Sequence, residues 1–216
     1  MKEHFYRRNL PHIIPDDAQF FVTFTLNGAL SYDVIERLQN EKEERIKKAI
    51  KTGERKYDIE KIYFGKYDDL LANPSNGVKF IENEHVAKIV ADKIHEFDNL
   101  KYELICFCIM PNHVHLLIDT MNYTPEKLNN KGSTKEYYLT DVLRLIKGNT
   151  SNRCNKILNR EGRFWQNENY DHFIRDRNEL SRIISYILHN PVKANLCSEI
   201  KDWKWTYINP EYNEFF

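Results

Sequence analysis

The 216-residue chain has no apolar run approaching the length that spans a bilayer, which excludes a transmembrane helix and any membrane partner that needs one. Its opening stretch, Met1-Lys2-Glu3-His4-Phe5-Tyr6-Arg7-Arg8, lacks the apolar core of a signal peptide, so a cytoplasmic protein is expected. Four cysteines (Cys106, Cys108, Cys154, Cys197) have no zinc-type Cys-x-x-Cys spacing, and the Cys106/Cys108 pair sits in an apolar strand. Buried thiols are the state that fits, not a zinc site or a disulfide framework. Net charge is also lacking: the formal value is zero, which argues against an indiscriminate polyanion binder but leaves room for a local basic patch. No repeat, low-complexity tract or Gly/Ser linker divides the chain. With 41% apolar and 13% aromatic residues there is enough to fill a core, and we expect one domain over residues 1–216 carrying a surface insertion at about 36–82.

What is present begins with Gln19 to Leu26, β-branched and aromatic, which reads as a first strand. Ser31 or Asp33 can cap a helix running to about Lys51, where Gly53 stops it. Residues 53–82 hold short apolar pieces such as Ile62-Tyr63-Phe64 between polar turns and read as surface insertion. A clearer helix spans His85 to Phe97 behind the cap Asn83. Tyr102 to Ile109 and His113 to Asp119 form a hairpin through Met110-Pro111-Asn112. The polar stretch 122–135 reads as loop, Thr140 to Leu158 as a helix that Gly148 can bend, and Tyr170 to Ile174 as a strand. Asp176, with Glu179 at the capping-box position, starts a last helix with a strong stripe of Leu180, Ile183, Ile184, Ile187 and Leu188, ended by Pro191. Strand, helix, strand, strand, helix, strand is the ferredoxin-like βαββαβ order: an α+β fold with an antiparallel sheet, helices on one face, and here one additional C-terminal helix.

The chemistry gathers in two places. Side chains alternate along a strand, so His113 and His115 share one face of their hairpin strand while Val114, Leu116 and Ile118 face the core. Two neutral imidazoles on one face are half of a metal site, or, on the plainer reading of a bare His-x-His, a pair of half-exposed strand histidines. On the last helix Arg182, Tyr186 and Asn190 recur every four residues on the flank of the apolar stripe. Tyr186 can pack its ring beside the core with its hydroxyl in water, or it can serve as a nucleophile. A phenol attacks phosphorus poorly unless a metal stabilises the developing charge, so the two features would answer each other's need.

Four segments in order, Met110-Pro111-Asn112-His113-Val114-His115-Leu116-Leu117, Gly162-Arg163-Phe164-Trp165-Gln166, Tyr170-Asp171-His172-Phe173-Ile174-Arg175 and Tyr186-Ile187-Leu188-His189-Asn190-Pro191-Val192-Lys193-Ala194, resemble the REP-associated tyrosine transposases. These are relatives of the single-tyrosine transposases of small bacterial insertion sequences. Arg8-Asn9-Leu10-Pro11-His12 and Phe20-Phe21-Val22-Thr23-Phe24 resemble one branch of that family, and residues 36–80 match least. The resemblance implies an HUH nuclease domain that cuts single-stranded DNA near imperfect hairpins. In it His113 and His115 hold a divalent ion, Mg²⁺ or Mn²⁺, and Tyr186 attacks a scissile phosphate to leave a 5′-phosphotyrosine and a free 3′-hydroxyl. A third protein ligand is expected at Asn190, one helical turn after Tyr186, against the plainer reading in which Asn190 only caps the helix. His189 and Glu179 are weaker competitors.

Between Val142 and Trp165 lie six basic residues (Arg144, Lys147, Arg153, Lys156, Arg160, Arg163) and one acid, Glu161. With Arg182, Lys193 and the aromatics Phe164 and Trp165 they form the expected DNA-binding set, the cations positioning phosphates and the rings stacking on bases, against the plainer reading of an amphipathic helix with Lys and Arg on its wet side and Trp165 in the core. Two other readings compete: a nuclease that activates water and leaves Tyr186 idle, and a non-catalytic DNA-hairpin binder. Monomer and homodimer are both open, since related transposases place the tyrosine helix in cis or across a dimer.

Overall fold

The computed structural model describes residues 3–7, 11–15, 18–73, 77–124 and 138–215. Strands β1 (Glu3–Arg7) and β2 (Pro11–Pro15) pair as an antiparallel hairpin apart from the main sheet. Then come β3 (Gln19–Leu26), α1 (Tyr32–Thr52), α2 (Lys56–Ala72), α3 (Glu84–Phe97), β4 (Glu103–Ile109), β5 (His113–Asp119), α4 (Tyr138–Ile157), β6 (Trp165–Phe173), α5 (Arg177–Lys193) and β7 (Thr206–Ile208). The main sheet is antiparallel throughout, in the order β6-β3-β5-β4-β7. Its first four strands are the ferredoxin-like arrangement, with β7 added at one edge.

The pleat divides the sheet's residues between two cores. On one face Phe20, Val22 and Phe24 of β3 and Val114, Leu116 and Ile118 of β5 are buried with Val86, Val90 and Ile94 of α3 and Val142, Leu143 and Ile146 of α4. On the other face Phe21, Cys106, Cys108 and Leu117 pack with Leu180, Ile184, Ile187 and Leu188 of α5. The expected additional helix therefore covers the face that α3 and α4 leave open. Cys106 and Cys108 are buried free thiols, and burial raises both well above the usual thiol range.

Three of the expected helix ends form as read, while Ser31 stands at the N-cap of α1 without a side-chain cap bond. Gly53 ends α1 in the left-handed region (φ 73°) with its N–H on the Ala49 carbonyl. The Asn83 side chain accepts from the backbone N–H groups of His85 and Val86 at the start of α3. Asp176 accepts from the Glu179 N–H at 2.8 Å, satisfying one of the donors that a helix start leaves open.

Four expectations need correction. Residues 56–72 are a helix, not short pieces between turns: α1 and α2 form a helical hairpin with its own small core of Ala49, Ile59 and Tyr63, and Asp68 of α2 is almost wholly buried at 1% exposure. Helix α5 continues through Pro191 to Lys193. The proline removes only one donor, and its carbonyl and that of Asn190 still accept from the Leu196 and Ala194 N–H groups. Strand β6 starts at Trp165, not Tyr170. Finally, Trp165 and Phe164 are core residues, 3% and 1% exposed. The Trp165 indole N–H donates to Thr150 Oγ1 at 2.9 Å, so neither ring presents a face for a base. Arg8, Asn9, Leu10 and most of the expected loop at 122–135 lie outside the described residues.

Candidate metal and nucleophile centre

Strand β5 lies between β3 and β4, and its pleat sends His113 and His115 toward the α5 face; both are fully buried. Each ring is held from behind. Asn112 Nδ2 donates to the Leu71 carbonyl at 2.9 Å, which turns its Oδ1 toward His113 Nδ1, 2.6 Å away. An amide oxygen can only accept, so Nδ1 carries the proton and His113 Nε2 keeps its lone pair. Thr23 Oγ1, on the paired strand β3, lies 2.8 Å from His115 Nδ1 and can fix that ring in the same tautomer. The two Nε2 atoms then face each other at 3.0 Å. Lone pairs at that distance require a shared proton or a cation between them, and a carbonyl or hydroxyl behind each ring is the usual support of metal-bound histidines.

The third group comes from α2. Asp68 Oδ1 lies 3.3 Å from His115 Nε2 and 3.8 Å from His113 Nε2. Asp68, His113 and His115 are the one group of three or more candidate metal ligands among the described residues, with ligand atoms all within 4.8 Å of one another. Asp68 Oδ1 and both amide atoms of Asn190 are buried without a hydrogen-bond partner among the described residues. Orphaned buried acceptors are costly, and a divalent cation bound by two imidazoles, a carboxylate and an amide oxygen would satisfy Asp68 Oδ1 and Asn190 Oδ1, though not the Asn190 amide N–H groups. The residues fit a metal ion.

Tyr186 meets this cluster from α5. Its hydroxyl donates to Asp68 Oδ2, and its half-buried ring packs edge-on to His115 and Phe21 at centroid separations of 5.6 and 6.0 Å. Phe64 of α2 stacks on Tyr170 of β6 at 3.8 Å, closing the aromatic wall beside the tyrosine. Burial, then the charge of Asp68 and the bond to it, raise the Tyr186 pKa, while nearby Asn190 pulls it back in part. Without a cation the phenol stays protonated. Burial raises the Asp68 pKa, but the two imidazoles and the tyrosine hydroxyl overcome it and leave the carboxyl below its ordinary range. Burial, then the neighbouring His115, lowers His113 to about 3, which keeps it neutral and available as a ligand.

The structure thus brings His113, His115, Tyr186 and Asn190 to one place and adds Asp68, which the sequence reading missed. It leaves the competitors elsewhere. Glu179 is occupied by His172 Nε2 at 3.1 Å and the Arg175 N–H at 3.0 Å, and exposed His189 bonds back to the Ser185 carbonyl. Of the expected DNA-binding cations, exposed Arg153, Lys156 and Arg163 and the Arg144–Asp141 pair belong to α4 and the turn after it. That layer lies across the sheet from Tyr186. Lys147 is anchored on the Asn167 carbonyl and Asn169 of β6, and Arg160 lies over Phe80 and bonds Asn155. Arg182 is exposed on α5, and Lys193, also exposed, pairs with Asp69 at 2.6 Å.

A buried carboxylate and two histidines on a ferredoxin-like sheet, with a tyrosine hydroxyl bonded to the carboxylate, place a candidate metal site and a candidate nucleophile in one centre. The chain belongs to the IS200-like transposase family, whose model matches residues 70–190, more than half of its length. It is 31% identical over 126 residues to a Haemophilus influenzae protein carrying the name of a REP-associated tyrosine transposase, a match covering 54% of this chain and 69% of that one. The fold is also that of a REP-associated tyrosine transposase solved with a REP hairpin, at a TM-score of 0.51 and 15% identity, over 93% of this chain and 80% of the other. Members of the family are DNA-cleaving and -joining enzymes, and this chain is one of them. No described helix is long and apolar enough to cross a membrane.

Proposed function

We propose that this transposase cuts and rejoins single-stranded DNA beside imperfect hairpins, with Tyr186 as nucleophile and a divalent ion held by His113, His115, Asp68 and Asn190. The observation that carries this reading is the hydrogen bond joining the Tyr186 hydroxyl to a carboxylate that also faces both imidazoles. When bound, the ion would polarise a scissile phosphate and offset charge developing on its oxygens. The chain's own residues do the rest. Asn112 and Thr23 hold the rings, and α5 carries the phenol to the sheet. Asp68 Oδ2 is the acceptor the phenolic proton already points at. As the tyrosine oxygen bonds to phosphorus, the bond to the 3′-oxygen breaks and that oxygen takes up a proton, leaving a 5′-phosphotyrosine and a 3′-hydroxyl. The reverse step with another 3′-hydroxyl joins ends and needs no nucleotide, because the phosphotyrosine conserves the bond energy.

Two imidazole donors favour Mn²⁺ over Mg²⁺, which prefers oxygen ligands alone. Tyr186 is assigned in cis because its hydroxyl reaches Asp68 of its own chain, within a single domain over residues 1–216 that carries the α1–α2 hairpin as its elaboration. The hairpin partner would lie against Arg144, Lys147, Arg153, Lys156, Arg160, Arg163, Arg182 and Lys193, reached around the β6 edge from the α4 layer. Single strands taken from palindromic repeats flanking the gene test the reading: incubation with Mn²⁺ and separation on a denaturing gel should give a protein–DNA adduct. Cleavage without an adduct would move the enzyme to the water-activating class.

A further inference from the structure

Asp68 makes two contacts with its two oxygens, and they point different ways. Oδ2 accepts from the Tyr186 hydroxyl, while Oδ1 faces both histidine Nε2 atoms and has no hydrogen-bond partner among the described residues. The residue lies outside the segment matched by the family model, on a helix that stands between β3 and α3 as an addition to the ferredoxin-like order. That helix is tied to the site at three points. Leu71, three residues on, takes the Asn112 amide bond that orients His113. Phe64, one turn back, stacks on Tyr170. Asp69 pairs with Lys193 of α5. A helix fixed to the β4–β5 turn, to β6 and to α5 holds its carboxylate in one position relative to all of them.

We propose that Asp68 is a bridging and positioning residue: one oxygen completes the ion site and the other holds the tyrosine oxygen in register with it, so that ion occupancy and tyrosine orientation are coupled through one carboxylate. This rests on the metal-and-tyrosine reading of the centre and assigns to α2 a working part in it. A carboxylate shared in this way makes each contact depend on the other. Losing the tyrosine hydroxyl frees charge on Asp68 for the ion, and losing the carboxylate charge weakens the ion and releases the phenol together.

The test is a double-mutant cycle of Asp68→Asn and Tyr186→Phe, read by calorimetric Mn²⁺ titration of the full chain, which needs no catalysis. Asp68→Asn keeps the shape of the side chain, and thermal melting confirms that each variant folds; Asp68→Glu, which restores the charge, should recover part of any loss. Asp68→Asn is expected to weaken Mn²⁺ about tenfold or more, in the range found for groups supporting metal sites. Tyr186→Phe is expected to strengthen Mn²⁺ several-fold when Asp68 is present and to have no effect beside Asp68→Asn. Equal effects of Tyr186→Phe in both backgrounds, or unchanged Mn²⁺ affinity in Asp68→Asn, would overturn the bridge. Single-turnover adduct formation by Asp68→Asn should slow by at least the same factor while hairpin DNA affinity stays within about twofold. If the native chain shows the coupling but leaves hairpin strands uncut, the strand-transfer reading fails and the bridge stands. If it forms the adduct and Asp68→Asn does so equally well, the reading stands and the bridge fails.

Discussion

The two faces of the sheet are made from the same strands and solve opposite problems. On the α3/α4 face β3 and β5 contribute only apolar side chains, so burial alone decides which residues serve. On the α2/α5 face the alternate positions of those strands include Thr23, His113 and His115, and the helices add Asp68, Tyr186 and Asn190. Polar groups with little or no exposure there are stabilised only by partners placed to within a few tenths of an ångström, and those left over point to a ligand. One face supplies stability that tolerates exchange of similar side chains; the other spends some of that stability on a fixed constellation.

The sharpest way to separate the faces is Tyr186→Phe. Adduct formation should disappear, with melting temperature lowered only slightly and hairpin DNA affinity unchanged on filter binding; normal adduct yield would place the nucleophile elsewhere. The converse is Phe24→Ala on the apolar face, fully buried against Trp165 at a centroid distance of 4.9 Å. It should cost about 3–5 kcal/mol in urea unfolding, while Mn²⁺ affinity per folded molecule stays unchanged.

Acid should act through the polar face. His113 has a folded pKa of about 3 against an unfolded value near 6.5, so the unfolded chain binds more protons between those limits. Stability is therefore full above about pH 6.5 and declines as pH falls toward 3, by a few kcal/mol at most. Urea melts of the metal-free protein from pH 7.5 to 4 should show this slope, and it should flatten in His113→Gln. A slope unaltered by that change would assign the acid sensitivity to other groups. Asn190→Ala should weaken Mn²⁺ and slow cleavage, with rescue at high Mn²⁺ and an unchanged melting curve. Loss of folding with unaltered titration would make it a helix cap. The smallest effect is expected on the outer surface. Neutralising Arg153 and Lys156 should lower the log–log salt dependence of single-strand binding by about 1.4, at roughly 0.7 per lost phosphate contact. An unchanged slope would route the DNA away from α4.

The ferredoxin-like order was legible because each element carries its own local signal: alternation in β5, helical spacing with the Asn83 cap in α3, the Asp176 cap in α5. His113, His115 and the flank position of Tyr186 were legible for the same reason. Asp68 was not, since its meaning comes from a partner 118 residues away and it lies within residues 53–82, which read as a surface insertion. A trace was present: Phe64, Asp68 and Leu71 recur at i, i+4 and i+7, so the carboxylate interrupts a buried helical stripe. Trp165 was misjudged because sequence shows that a ring can stack but not whether Thr150 has already taken its N–H.

Because β5 is hydrogen-bonded on both sides, to β3 through seven partner pairs and to β4, the phase of the histidines is inherited from the phase of the whole sheet. Deleting one residue within β5 would put the stretches on its two sides out of phase, so that if Leu116–Asp119 keeps its register the imidazoles turn toward α3 and α4 and Val114 toward α5. Natural variation in this strand should therefore accumulate as replacements and almost never as changes of length.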